Sequence, residues 1–380
     1  LLGEAVATGD VPGVVALALN REGVLYQGAF GERIVGAGQV MTLDSVVWIA
    51  SMTKAITATA AMQLVESGAL KLDAPASRWA PQLATVQVLE GFDDSGAPRL
   101  RAPRTPITLR HLLTHTAGYG YPVWSELLQR YYEQTHLPST ATCTNAALLA
   151  PLLFDPGSRW NYGINLEWVG KIIEAVSGMR LGAYLTAHLF EPLGMRDTGF
   201  KITAPMRERL AKVHERNGRG GFVATDFEVP QEPEFELGGG GLYSTAADYA
   251  KFVRMILRRG LHDGMQVLKP GTVDLMSQNH IGALNVTRLS STMPERSRDA
   301  EFFPGLTKRW GLSFMINEEQ APTGRAAGAL AWGGLANTYF WIDPTHGVAG
   351  VYLTQLLPFA DPRSLPLYLE FEAAVYRGLR

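Results

Sequence analysis

Segments that alternate in the manner of β-strands stand at the two ends of this chain, and the long stretch between them lacks that alternation. Residues 14–19, a polar turn at Asn20-Arg21-Glu22-Gly23 and residues 24–30 read as a hairpin. Near the other end, residues 311–316, 338–342 and 348–353 read as strands, the last two joined by a turn at Asp343-Pro344-Thr345-His346-Gly347. Strands so far apart can share one core only if the two ends build a sheet together. Residues 109–114, 126–133, 166–176 and 183–189 read as short helices between polar or Pro-containing loops. The pattern predicts an α+β fold. Residues 1–84 and 231–380 would form a unit of sheet and flanking helices, with a mostly helical unit, residues 85–230, inserted between them. A last helix is expected from about residue 364 to 377, and another at 246–257 with Ser244 as its N-cap.

Residues 51–66 read as a further helix, rich in Ala and Thr and closed by Gly68. It opens on Ser51-Met52-Thr53-Lys54. A serine hydroxyl attacks a carbonyl poorly unless a base takes its proton. A lysine three residues on lies one turn further along the same face, within reach of the serine oxygen. The helix N-terminus adds partial positive charge and free N–H groups for a developing oxyanion. With 16 Ser and 8 Lys in 380 residues, chance alone gives about a third of a Ser-x-x-Lys match per chain, and there is one. The bland alternative is a capping serine beside a solvated lysine, and the motif alone does not choose.

Other chemistries find less support. No Gly-x-Ser-x-Gly or His-Glu-x-x-His occurs, which argues against an α/β-hydrolase nucleophile elbow and a zincin. His111 and His115 stand four apart, but no third ligand has suitable spacing, so no metal or other cofactor is expected. Gly238-Gly239-Gly240-Gly241 lacks the Lys-Ser/Thr of a phosphate loop and reads as tight packing or a flexible turn. The lone cysteine, Cys143, excludes an internal disulfide and reads as a surface or half-buried residue. A formal net charge of −2 gives no reason to expect nucleic acid or an anionic membrane as partner. No apolar run approaches the ~20 residues that span a bilayer. The segment Leu1-Leu2-Gly3-Glu4 does not read as a signal peptide, so the cytoplasm is the default compartment. Tyr162, after the turn at Asp155-Pro156-Gly157, reads locally as a half-buried aromatic with its hydroxyl satisfied. Tyr119, Tyr121, Trp124, Tyr131, Tyr132 and Trp160 cluster nearby, as core or as pocket wall.

Taken together and in order, Ser51-x-x-Lys54, the segment from Asp155 to Tyr162, and Trp332-Gly333-Gly334 resemble the three signature elements of family VIII carboxylesterases. These are serine esterases of the class C β-lactamase and penicillin-binding-protein superfamily. Leu109 to Gly118, Pro192 to Thr198 and Gly238 to Thr245 extend the likeness over most of the chain. The resemblance implies a β-lactamase/DD-peptidase-like fold, an antiparallel sheet flanked by helices with the site at the interface with the helical insert. It also implies cleavage of carboxylic esters of short to medium acyl chain, with a small-molecule ester as the partner. Ser51 would be the nucleophile, and Lys54 and Tyr162 would share and manage its proton. Backbone N–H groups of Ser51 and Leu335 would form the oxyanion hole. Trp332, Gly333 and Gly334 would bind substrate from an edge strand. Acyl transfer to an alcohol or amine, amidase, peptidase or weak β-lactamase activity, and a non-catalytic ligand-binding role are the alternatives. Two departures bear on them. Trp332-Gly333-Gly334 stands where β-lactamases carry Lys-Thr-Gly, and Ile164, with Asn165 one place later, stands where they carry Asn. Both missing groups would help to hold a β-lactam.

Overall fold

The N-terminal hairpin forms as the alternation predicts: strand β1 (Gly13–Asn20) pairs antiparallel with β2 (Val24–Ile34). Asn20 shapes the turn by accepting backbone N–H bonds from Glu22 at 2.9 Å and Gly23 at 2.8 Å. The computed structural model describes residues 1–218 and 220–379. A short strand β3 (Gln39–Val40) follows on the outer side of β2. The remaining strands of the main sheet come from the far end of the chain: β4 (Lys308–Trp310), β5 (Met315–Asn317), β6 (Leu330–Gly334), β7 (Thr338–Asp343) and β8 (Val348–Leu353). The eight strands run in the order β4-β5-β6-β7-β8-β1-β2-β3, every pair antiparallel. The two ends of the chain therefore meet at the β1–β8 seam, where Asn20 faces Val348 and Val15 faces Leu353. The expected single strand at 311–316 is two strands with a tight turn between them, closed by Gly311 N–H on the Phe314 carbonyl at 2.7 Å. Gly311 permits this because any side chain there would strike the Met276 carbonyl.

Both faces of the sheet are covered, and the period of two sorts the aromatic residues between them. On one face Tyr339 stacks on Tyr368 at 4.5 Å between ring centroids, and Trp341 meets Phe371 at 5.8 Å. Tyr368 and Phe371 belong to the C-terminal helix, Ser364–Gly378. On the other face Phe340 meets Tyr249 at 5.4 Å. Tyr249, Phe252, Val253 and Ile256 make one buried stripe on the helix Ala246–Leu257, the spacing of an amphipathic helix. That helix is capped by Thr245, whose hydroxyl accepts from Asp248 N–H at 3.2 Å, and not by Ser244. Ser244 is extended, paired with Val47 in a two-stranded ladder, and so cannot turn into the helix. Across β7 and β8, Trp341 faces Gly350, where any Cβ would lie within the indole ring. Burying an aromatic side chain of this kind stabilises by roughly 1.5–3 kcal/mol, and Gly350 is the condition for it.

The helix of the Ser-x-x-Lys motif runs from Thr53 to Glu66, preceded by a tighter turn at Ala50–Met52 that carries Ser51. Thr53 to Met62 are all buried, so this helix is central and not amphipathic. Its small side chains let the helix Asn165–Ser177 pack beside it. Within 85–230 the expected short helices are joined by strands the sequence reading did not anticipate. These are a hairpin of Val88–Phe92 with Pro98–Arg101, and the pair His214–Arg216 and Phe222–Ala224, which Leu356–Leu357 joins. Among the described residues no helix is long and apolar enough to cross a membrane.

Candidate active site

Ser51 follows a residue in an unusual conformation. Ala50 has φ +45°, the left-handed region that a residue with a Cβ adopts only when its surroundings insist. The surroundings do insist. Ile49 N–H donates to the Leu242 carbonyl at 3.0 Å, and the Ile49 carbonyl accepts from Thr338 Oγ1 at 3.2 Å. Tyr249 Oη donates to the Met52 carbonyl at 3.0 Å. Gly334 lies so close that a side chain would meet both the Ile49 carbonyl and the Ala50 methyl group. Strand β6 and the turn that presents Ser51 are thus held against one another by a glycine.

One turn later Lys54 is almost wholly buried and reaches three oxygens. Its Nζ donates to the Gly239 carbonyl at 2.6 Å, to Tyr121 Oη at 3.0 Å and to Ser51 Oγ at 3.3 Å. Of the two readings of the four glycines the structure bears out tight packing, since a Cβ on Gly238, Gly239 or Gly241 would meet the Leu166 carbonyl, the Glu167 carboxylate or the Phe200 ring. Three successive carbonyls of the loop are each fixed by a side chain: Gly238 by Thr57 at 2.7 Å, Gly239 by Lys54, and Gly240 by Trp48 Nε1 at 2.7 Å.

Tyr162 arrives from a loop that touches the segment 119–121. Gly163 has no room for a Cβ against the backbone of Tyr119 and Gly120, and Asn161 Nδ2 donates to the Tyr119 carbonyl at 3.0 Å. The close approach sets Tyr162 and Tyr121 side by side, ring centroids 5.5 Å apart. The Tyr162 ring lies 4.8 Å from Lys54 Nζ, and its oxygen accepts from Trp332 Nε1 at 3.1 Å. Among the described residues no hydrogen bond joins the Tyr162 hydroxyl to Ser51 or Lys54, which departs from the expected shared proton. Beneath Tyr162 lies His115, its ring 4.7 Å away and its Nδ1 2.8 Å from Asn165 Nδ2. Burial, reinforced by the nearby Lys54, holds this imidazole well below the ordinary histidine range. Asn165 is therefore occupied inside the core and does not replace the missing asparagine of β-lactamases. His111 is engaged in capping its own short helix at Thr108.

Two residues outside the sequence-predicted set complete the arrangement. Tyr121 Oη donates to Glu167 Oε1 at 3.0 Å, and Glu167 is almost fully buried with Oε2 unpartnered. Burial pushes the Tyr121 hydroxyl well above the ordinary phenol range, and the charge of Glu167 adds to it. Burial also raises the Glu167 carboxyl, against the opposing effect of Lys54. The signal for Glu167 was a carboxylate amid Leu166, Trp168 and Val169 on a buried helical face. Tyr121 was noted only as one of an aromatic cluster.

A cavity of about 450 Å³ opens over this group. Ser51, Tyr121, Tyr162, Glu167 and Leu335 line it, with Val123, Trp124, Leu137, Phe227 and Leu357 among the apolar wall. Of the aromatic cluster, Tyr121, Trp124 and Tyr132 face the cavity, while Tyr119 and Trp160 are core. Trp332, Gly333 and Gly334 do not line it. The Trp332 indole is turned onto Tyr162, and the two glycines are required by the Tyr339 ring and the Ile49 carbonyl. Nor is β6 an outer strand: β4 and β5 lie beyond it, although β5 pairs only with Leu330 and Ala331 and leaves Trp332 to Gly334 unpaired on that side. Cys143 lies outside the cavity, fully buried, its thiol pushed up to about 11 by burial.

A family model described as Beta-lactamase matches residues 1–374. Monacolin J acid methylbutanoyltransferase of Aspergillus terreus is 36% identical over 98% of this chain and 93% of its own length. Lovastatin esterase of Penicillium rubens is 33% identical, covering 98% of this chain and 96% of that protein. Among solved structures, unliganded simvastatin synthase (LovD) from Aspergillus terreus superposes with a TM-score of 0.87 at 34% identity, over 99% of this chain and 96% of that one.

Proposed function

Since the chain belongs to the Beta-lactamase family, we propose that it cleaves carboxylic esters of short to medium acyl chain through an acyl group held on Ser51. The observation that carries this reading is the contact of Ser51 Oγ, on the wall of a largely apolar cavity, with the buried Lys54 behind it. Attack forms a bond between Ser51 Oγ and the carbonyl carbon, and the Oγ proton passes to the amine of Lys54. The tetrahedral intermediate collapses by breaking its bond to the alcohol oxygen, which leaves with the proton managed by Lys54 and Tyr162. Water then attacks the acyl-enzyme, surrenders a proton to the same base, and frees the acid and Ser51. Backbone N–H groups of Ser51 and Leu335 would hold the negative oxygen, and the presence of both residues on the cavity wall supports that assignment. Trp332 would act through Tyr162, to whose oxygen it donates, and not by touching substrate.

Transfer of the acyl group to an alcohol is the second reading. The similarity to a methylbutanoyltransferase favours it, as does an apolar wall that suits an alcohol better than water. The test is threefold. A fluorophosphonate is expected to add one label per chain, on Ser51, and none to Ser51→Ala. Turnover of p-nitrophenyl butyrate is expected to exceed that of nitrocefin, because Trp332-Gly333-Gly334 places neither a cation nor a hydroxyl where β-lactamases carry Lys-Thr-Gly. A charge-assisted hydrogen bond of that kind contributes roughly 1.5–3 kcal/mol, about ten- to a hundredfold. Added butanol should divert product from butyrate to butyl butyrate if transfer competes with hydrolysis. Labelling elsewhere, or nitrocefin turned over as well as the ester, would overturn the esterase reading.

A further inference from the structure

Lys54 has room for three hydrogen-bonding partners at its nitrogen, and the structure fills all three positions with oxygens. Their characters differ. The Gly239 carbonyl only accepts, so one N–H is committed to it whatever the charge of the amine. Ser51 Oγ can donate or accept. Tyr121 Oη could also do either, were it alone, and as a donor it would occupy the lone pair of a neutral lysine.

It is not alone. Glu167 Oε1 lies 3.0 Å from Tyr121 Oη, and an ionised carboxylate only accepts. With Glu167 ionised, the form that the neighbouring Lys54 charge favours, the phenol proton is spent on Glu167 and the phenol oxygen presents only lone pairs to Lys54. Two of the three positions on Nζ are then N–H by necessity. When the lysine gives up a proton, the vacated lone pair has one direction left, towards Ser51 Oγ. We propose that Glu167 and Tyr121 are positioning residues that aim the lone pair of Lys54 at Ser51, by forcing Tyr121 to accept from the lysine and never to donate to it. The inference rests on Ser51 being the nucleophile with Lys54 as its base.

Three features of the fold support it. The phenol keeps its proton, since burial and the neighbouring carboxylate both oppose ionisation. Glu167 stands on the helix Asn165–Ser177 in the seam beside Lys54's own helix, so both ends of the relay are held on rigid elements. Gly239, whose carbonyl is the first acceptor, is also the residue that makes room for Glu167: a Cβ there would fall against both carboxylate oxygens. One glycine thus serves two of the three directions.

The test uses the intact protein and reads kcat, KM and the rate of Ser51 labelling by a fluorophosphonate. Glu167→Leu removes the acceptor and lets Tyr121 turn its proton onto Lys54. It is expected to lower kcat and labelling by ~10²–10³, within the range for loss of a positioned base, with KM little changed. Tyr121→Phe removes the competing hydroxyl with its acceptor and should lose only about tenfold. The double variant is the decisive one. It should be as active as Tyr121→Phe, and so faster than Glu167→Leu alone, because no hydroxyl remains to capture the lone pair. Glu167→Gln, which keeps an acceptor oxygen in reach, should restore most of what Glu167→Leu loses. If the two single losses multiply in the double variant, Glu167 is a structural residue and the inference falls. Should Glu167→Leu not fold, Glu167→Met, closer to the native side chain in length and equally without a carboxylate, combined with Tyr121→Phe reads the same rescue. Unlabelled Ser51 in the wild type would remove the proposed function together with this inference. Labelled Ser51 with multiplying losses would remove the inference alone.

Discussion

Side chain by side chain, the candidate site divides by sequence distance. Ser51 and Lys54 were legible because helical geometry alone brings positions three apart together, and the structure sets them 3.3 Å apart. Tyr162 was legible only through resemblance, since nothing local marks a tyrosine after a Pro-Gly turn as special. Tyr121 and Glu167 were not legible as a pair. They meet across 46 residues, through a contact that Gly163 permits and that no periodicity announces. Trp332 was read as a substrate-binding residue, and its indole turns out to hold the oxygen of Tyr162. That difference is open to measurement. Trp332→Phe keeps the aromatic surface and deletes one neutral hydrogen bond, which contributes about 0.5–1.5 kcal/mol. If the indole acts through Tyr162, kcat should fall roughly two- to twelvefold with KM unchanged. A variant with normal kcat and raised KM would return Trp332 to substrate binding.

Elements were easier to read where their own residues decide them than where a neighbour does. The hairpin of β1 and β2 and the turn after β7 carry their instructions locally, in Asn20 and in Asp343, whose carboxylate accepts from Ala326 and His346 backbone N–H groups. The cap at Thr245 was misplaced by one residue because Ser244 is claimed by a strand partner some 200 positions away. The start of the C-terminal helix shows how one carboxylate organises an element. Asp361 accepts the backbone N–H groups of Arg363 and Ser364, each at 3.0 Å, and pairs with Arg216 at 2.7 Å. Burial alone would raise its carboxyl, but the Arg216 contact and those N–H groups outweigh it, so it sits below the ordinary carboxylate range. A carboxylate lowered in the folded state stabilises above its unfolded pKa of about 3.9, and the contribution is lost as pH falls from there through the folded value. Asp361→Asn is therefore expected to cost about 2–4 kcal/mol at pH 7 and progressively less below pH ~4. Urea midpoints across that range would show it. A deficit that stays constant with pH would mean that shape, not charge, is what Asp361 supplies.

At the scale of the whole molecule, the division into strands at the ends and helices between was the most legible feature, because it rests on long patterns and not on single residues. What the patterns could not give is how the end segments lock onto the sheet. Arg325, before β6, and Glu372, on the C-terminal helix, form an ion pair in which both side chains are almost wholly buried, with Tyr368 and Thr323 as further partners. Removing one charge strands the other in the core, which typically costs 3–5 kcal/mol, whereas replacing both with apolar groups is often neutral. Arg325→Met should lower stability by about that amount, and Arg325→Met with Glu372→Leu should recover most of it. Denaturation curves of the two variants settle the point. A double variant no better than the single one would show that the pair's hydrogen bonds to Tyr368 and Thr323 carry the stability instead.

The seam between β1 and β8 has a consequence for how the protein is made. The first long strand lies in the interior of the sheet, and the partner of Asn20 is Val348, separated from it by 328 positions, 348 minus 20. At a synthesis rate of about 5–20 residues per second, roughly 15–65 seconds pass before that partner leaves the ribosome. Throughout that interval β1, buried on both faces in the finished sheet, offers an apolar edge to anything nearby. The strands that hold Ser51's turn in its left-handed conformation emerge just as late. A nascent chain therefore carries Ser51 long before it carries the strands that shape the turn presenting it. Its yield in a cell should depend on whatever shelters the N-terminal hairpin while the rest of the chain arrives.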